Sequence, residues 1–377
     1  MSDRATGVAL FAVEDTTAQM IWSKLGPGHV DVQCGDVHHS FEADGGPGSI
    51  VLDDLAPDTA YLVSLTLDRH PPITRRFRTL APPPGEELFR FATLSDLHIG
   101  RDHFGLVGKI REDAPQVPHP MRCAGAAIDE LLAWGAEHLV IKGDLVDSGQ
   151  PAEWDDARRL LADLPIPLDV IAGNHESSVG EGADPFPQAE RVGLRLHREV
   201  SIIDVDGLRL VLMDSSIPRV DIGRWHHLVD EAVDAVGGAQ GPAMLIVHHH
   251  PMPLPFPTFL PRGVPSISAR RLIRRCSQAN PDLIGTSGHT HRNRRRDICG
   301  VPWTEVGSPK DYPGVWAGYV VHEGGIRQVV RRIERRDCLD WLERTKQVAF
   351  GAWGLWSPGT LEDRCFTYRW PSISAAG

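Results

Sequence analysis

The apolar residues of this chain follow two different periods, and the change falls near residue 82. Before it the runs are short and alternate apolar with polar, as in TAQMIWSKL (17–25), SIVLDDL and AYLVSLTLD, with Gly, Pro and Asp between them. Period-2 alternation broken by turn residues predicts a small antiparallel β-sandwich over 1–82. The stretch APPPG (81–85) is stiff and proline-rich, so a linker is expected over 83–88. From Phe89 continuous apolar runs alternate with helical spacing. The strand candidates are FRFATLS, HLVIKG, LDVIAG, RLVLMDS, AMLIVH and DLIGTSG, and the helical patterns fall around 121–135, 152–163, 224–237 and 268–279. Such alternation predicts an α/β domain over 89–333. Beyond it, 334–377 carries four of the ten tryptophans, Trp341, Trp353, Trp356 and Trp370. That stretch is expected to pack as a C-terminal extension that covers the sheet or contacts a second copy of the chain. An aromatic lid over a pocket is the alternative.

Composition narrows the function classes. The chain has 377 residues, 41% hydrophobic and 24% charged, which suits a packed main domain with a smaller one. Its formal net charge of -11 argues against non-specific binding to nucleic-acid backbones. Cys34, Cys123, Cys276, Cys299, Cys338 and Cys365 are scattered with no C-x-x-C pair; they read as free, mostly buried thiols in a reducing compartment. No apolar run approaches the ~20 residues of a membrane span, and the first residues do not read as a signal peptide. A soluble cytoplasmic protein, without a membrane partner, is expected.

Candidate chemistry sits just after the apolar runs. In order come D-L-H (96–98), G-D (143–144), G-N-H-E (173–176), H-H-H-P (248–251) and G-H-T-H (288–291). Singly each is weak, although two histidines two apart on an extended segment point the same way. Together they offer carboxylate, imidazole and amide ligands for divalent metals, gathered at strand ends. The expected chemistry is hydrolysis of a phosphate ester.

In this order the motifs resemble the calcineurin-like metallophosphoesterase superfamily, whose pattern runs D-x-H, G-D, G-N-H-[DE], H-x-P and G-H-x-H. The resemblance covers about 90–330. The phrases GDLVDSGQPAEW and GHTHRNRRRDICGVPWTEVGS look most like bacterial class III cyclic-nucleotide and glycerophosphodiester phosphodiesterases. The resemblance implies a four-layer α/β/β/α sandwich and two divalent ions drawn from Mn, Fe, Zn and Co. Carried over by position, Asp96, His98 and His291 hold one ion, Asn174, His249 and His289 the other, and Asp144 bridges them. The ligand two residues before the proline is His249; His248 stays open through a one-residue slip. His175 takes the family's role of stabilising the transition state or protonating the leaving oxygen, with Glu176 to orient it.

Asp147 and Asp214 are candidate carboxylates behind the ligands, with a turn or cap role equally open. Arg292 heads a basic run that could contact substrate phosphate, or form a solvated strand. The loops over 100–121 and 251–265 are expected to shape the entrance. The implied reaction is attack on a small phosphodiester by a hydroxide shared between the ions; a phosphomonoesterase is the alternative and a non-catalytic scaffold the less favoured reading. The phrases LAPDTAYLVSLTLD and RRFRTL resemble the late strands of a fibronectin type III domain, and a similar sandwich precedes the catalytic domain of purple acid phosphatases. Those enzymes carry tyrosine three residues after the bridging aspartate, where this chain has Asp147, so no iron–tyrosinate centre is expected.

Overall fold

A computed structural model describes residues 6–374 except 69, 106–108, 114, 177–183, 219 and 255–260. Two sheets form the centre of the α/β region. The first runs Leu196–His197, Leu168–Ile171, Leu139–Ile141, Glu87–Leu94, Val315–His322, Gly325–Arg332, Phe366–Arg369; the second runs Val200–Val205, Leu208–Met213, Ala243–Val247, Leu283–Ser287, Val301–Glu305, Arg294–Ile298. Side chains alternate between the faces of each strand, and both faces are covered. Phe91, Leu210, Leu212, Met244 and Ile246 meet between the sheets. Ala92 and Leu94 point outward onto the helices His119–Ala133 and Pro151–Leu161. Val211, Leu245 and Val247 face Val229–Gly237 and Ser266–Ala279 on the other side. The result is the expected α/β/β/α layering, with strands apolar on both faces because both are buried.

The all-β region is a single curled sheet. The strand Ala18–Cys34 pairs along its length with Val37–Leu52, while its other edge is shared by Ala9–Val13 near one end and Ala60–Leu67 near the other. A register shift between Trp22 and Leu25 lets these long strands bend, so one sheet encloses a core that two facing sheets would otherwise build. Met20, Trp22, Val30, Val32 and Leu65 fill it.

This sheet is joined to the α/β region by more than chain connectivity. Phe11, Ala12 and Ile21 belong to the same buried cluster as Phe91. Buried Glu14 accepts from Arg331 Nε at 2.9 Å and Trp134 Nε1 at 3.1 Å. At the other terminus, Phe366–Arg369 extends the first sheet antiparallel to Gly325–Arg332, and Trp341 and Trp370 are buried. All six cysteines are unpaired and only Cys299 is not buried. Among the described residues no helix is long and apolar enough to cross a membrane.

Candidate metal centre

The two sheets deliver the candidate residues from the C-terminal ends of parallel strands. Asp96 and His98 follow Glu87–Leu94, Asp144 follows Leu139–Ile141, and Asn174 follows Leu168–Ile171; His248 follows Ala243–Val247, and His289 and His291 follow Leu283–Ser287. The crevice beyond such strand ends is where open α/β sheets place ligands. The backbone there is unusual: Asp96, His98, Asp144, His289 and His291 have φ of 58°, 48°, 52°, 69° and 51°. A left-handed conformation costs a non-glycine residue about 1–2 kcal/mol, and strain of this kind is held where a site requires it. The motif glycines answer to close approach. A Cβ on Gly173 would collide with Asp144 Oδ1, and one on Gly288 with Ser95 Oγ and the Asp96 carboxylate.

Two groups of acceptor atoms result. In the first, Nε2 of His98 and His291 lie 3.2 Å apart, with Asp96 Oδ1 3.4 Å from His291 and Asp144 Oδ2 3.6 Å from His98. Behind them, His98 Nδ1 lies 3.0 Å from Asp147 Oδ1 and His291 Nδ1 2.6 Å from Asp311 Oδ2. An ionised carboxylate only accepts, so both Nδ1 atoms carry protons and, once the rings are neutral, the facing Nε2 atoms are lone pairs. In the second group, His248 Nε2 lies 3.2 Å from His289 Nδ1 and 3.3 Å from both Asn174 Oδ1 and Asp144 Oδ2. Its Nδ1 faces Lys142 O at 2.7 Å, and His289 Nε2 faces Arg262 O at 3.0 Å. Asp144 Oδ2 therefore reaches both groups. Among the described residues Asp96 Oδ1 is buried with no hydrogen-bond partner. Lone pairs converging in this way, each ring fixed from behind by an acceptor, suit divalent cations.

Electrostatics agree. Burial opposes the Asp144 charge, but the imidazoles of His248 and His175 hold its pKa down to about 2. Burial likewise opposes a charged His248, yet Asp144, Asp96 and Glu176 push it up to about 9, so the buried carboxylates demand a positive charge between them. His289, buried and flanked by His248 and His250, is pushed down to about 3.

Several expectations move. His248 is the histidine of the run that faces Asp144 and Asn174, while His249, its Nδ1 2.9 Å from Ser215 Oγ, keeps a buried Nε2 with no hydrogen-bond partner among the described residues and groups with His248 and His289 as a possible metal ligand. The Glu176 carboxylate accepts the backbone N–H groups of Gly173, Asp144 and Val146 and so ties two candidate ligand loops together. Asp147 is the residue behind His175, whose Nδ1 lies 2.6 Å from its carbonyl and 3.4 Å from its carboxylate. Asp214 caps its own turn, accepting from Ser216 N and Oγ at 2.9 and 2.6 Å. Arg292 is buried, pairs with Glu305 at 2.9 Å and stacks on Trp356. Of the loop 251–265, residues 255–260 lie outside the described residues, as do 106–108 and 114 of the loop 100–121.

Sequence reasoning missed the segment 308–311. Ser308 Oγ donates to Asp96 O at 2.8 Å and Asp311 holds His291. The available signal was an acidic residue shortly after the strand Val301–Glu305, which runs parallel to Leu283–Ser287.

Residues 89–293 match the family model for calcineurin-like phosphoesterases, more than half of the chain. The protein belongs to the calcineurin-like phosphoesterase family. It is 34% identical over 121 residues to a 3',5'-cyclic adenosine monophosphate phosphodiesterase of Pseudomonas aeruginosa, covering 31% of this chain and 40% of that one. A glycerophosphodiester phosphodiesterase of Enterobacter lignolyticus is 28% identical over 168 residues, 43% of this chain and 57% of its own. A cAMP/cGMP dual specificity phosphodiesterase of Mycobacterium tuberculosis is 26% identical over 220 residues, 55% and 64%. The chain thus spans roughly half the length of the curated relatives it matches. Among solved structures, the purple acid phosphatase of yellow lupin seeds superposes with a TM-score of 0.48 at 12% identity, over 86% of this chain and 71% of that one.

Proposed function

We propose that this protein is a phosphodiesterase that works with two divalent metal ions. The observation that carries the reading is the pair of adjacent acceptor groups sharing Asp144 Oδ2, each imidazole held from behind by a carboxylate or carbonyl. Asp96, His98, His291 and Asp144 would hold one ion; Asn174, His248, His289 and Asp144 would hold the other. Mixed imidazole and carboxylate donors favour Mn, Fe, Zn or Co over Ca or Mg. Bound there, the ions would supply a nucleophilic hydroxide near neutral pH and neutralise charge on the phosphate oxygens.

The chain's own residues do the rest. Asn174 adds a donor without adding negative charge, which leaves the pocket suited to an anionic substrate. His175 is the clustered imidazole most open to solvent, with 27% of its side chain exposed. Asp144 accepts its backbone N–H at 2.9 Å and Asp147 fixes its Nδ1, leaving Nε2 to hand a proton to the leaving oxygen. The activities of the relatives support a diester rather than a monoester substrate, and cyclic nucleotides and glycerophosphodiesters are the classes to screen.

The test is hydrolysis of bis(p-nitrophenyl) phosphate beside p-nitrophenyl phosphate, by chelated protein reloaded with Mn, Zn or Co. Metal-dependent turnover that is faster on the diester is the expected result. Preference for the monoester would replace this reading with a phosphomonoesterase, and two bound ions without turnover on any screened diester would leave a scaffold.

A further inference from the structure

Asp311 accepts from His291 Nδ1 at 2.6 Å and from the Lys310 amine at 3.1 Å. The peptide groups on either side of it are held from the C-terminal stretch. Trp341 Nε1 donates to Lys310 O at 2.6 Å, Trp353 Nε1 donates to Tyr312 O at 3.0 Å, and Tyr312 N donates to Thr345 Oγ1 at 2.9 Å. Trp341 is buried and stacks on the His119 ring at 4.0 Å, which anchors it to the helix His119–Ala133. The Trp353 ring lies 5.4 Å from that of Phe104, which lies 6.3 Å from His291.

Resting on the two-ion reading above, we propose that the C-terminal stretch positions the metal centre. Trp341, Thr345 and Trp353 fix the backbone of 310–312, and through it the direction of the Asp311 carboxylate. Asp311 in turn keeps the proton of His291 on Nδ1 and aims Nε2 at Asp96 and His98. An indole offers one donor and no acceptor, so each tryptophan fixes one carbonyl and does nothing else polar. Replacing tryptophan with phenylalanine keeps most of the ring and deletes only that donor. The three side chains are positioning residues that act through Asp311.

The experiment uses the full chain, stripped with chelator and titrated with Co(II), read by equilibrium dialysis and by the visible absorption of the bound ion. Wild-type protein is expected to take two ions per chain. Trp341→Phe and Trp353→Phe are expected to weaken one of the two about tenfold or more, as loss of a partner behind a ligand does, and to change that ion's absorption. In the Asp311→Asn background neither substitution should weaken it further, since both act through the same carboxylate. Leu355→Ala, 89% exposed on the same stretch, should leave both ions unchanged. Wild-type affinity in both tryptophan variants would overturn the proposal, as would losses that simply add to that of Asp311→Asn. Should a tryptophan variant fail to fold, Thr345→Val removes the hydroxyl with little change in volume and is held to the same outcomes. Fewer than two ions in wild-type protein would sink the two-ion reading itself, and that failure is visible before any variant is made.

Discussion

His175 and His98 sit ring against ring, 4.3 Å between centroids at 78°, yet the geometry gives them different tasks. His98 is buried among ligand atoms, while His175 is partly exposed and has its Nδ1 tied to Asp147. Burial opposes its charge, but in the metal-free protein Asp144 and Asp147 push its pKa up to about 9. His175→Ala is expected to lower kcat by roughly 10²–10⁴-fold with metal content unchanged, checked by steady-state kinetics beside metal analysis of the same sample. Loss of an ion instead would make His175 a ligand. For the histidine run, His248→Ala is expected to remove one ion per chain and His249→Ala to remove none, measured by the same metal analysis; the reverse pattern would restore His249. The residue types and order of the centre were legible because divalent ions restrict which side chains can serve. Which of three adjacent histidines turns inward was not, because Lys142 O, just past a strand of the other sheet, and Ser215 Oγ, just past the strand beside Ala243–Val247, set the ring directions.

At the scale of elements, the helix His119–Ala133 begins after Pro118, which offers no side-chain cap. Glu112 serves in its place: its carboxylate accepts the His119 N–H at 3.0 Å, where an anion also suits the helix dipole. Burial would raise its pKa, but hydrogen bonds from His119 and Arg122 outweigh that and hold it down to about 2, against an ordinary 4.5. A depressed carboxylate stabilises the fold above its unfolded pKa, and that contribution is lost as pH falls through the folded one. Metal-free wild-type protein should therefore lose urea resistance between pH 4.5 and 2 more steeply than Glu112→Gln. Equal slopes would show that the carboxylate contributes nothing to acid stability. The helix itself was legible from its 3.6-residue spacing to within two residues at each end, but its cap was not, since Glu112 lies outside the periodic segment. The curled N-terminal sheet was legible only as alternating strands. Whether such strands close into one sheet or two depends on where a long strand bends.

Across the whole molecule the N-terminal sheet is not a detachable appendage. Its Phe11 and Ile21 share a core with Phe91 and Val330, Gln19 donates to Arg332 O at 2.7 Å, and Glu14 neutralises Arg327 and Arg331. A chain beginning at Phe89 would leave two arginines without that carboxylate and an apolar face in water. Breaking a buried pair alone costs about 3–5 kcal/mol, roughly 10 °C of Tm for a domain this size. The truncated protein is expected to melt at least that much lower or to aggregate, by scanning calorimetry; an unchanged Tm would show that the α/β region folds independently.

By itself the sequence determined the alternation of strands and helices, the strand ends that bear candidate ligands and the ligand types, because periodicity and donor chemistry are local properties; the four-layer order was implied by the family resemblance. The tertiary structure alone decided that His248 faces Asp144, that Arg292 is spent on Glu305, and that Asp311 and the tryptophans behind it belong to the centre. Those choices rest on contacts between residues far apart in the chain, such as Lys310 with Trp341 and Lys142 with His248. At a strand end, a side chain's direction is set by whichever acceptor a segment distant in the chain brings within reach.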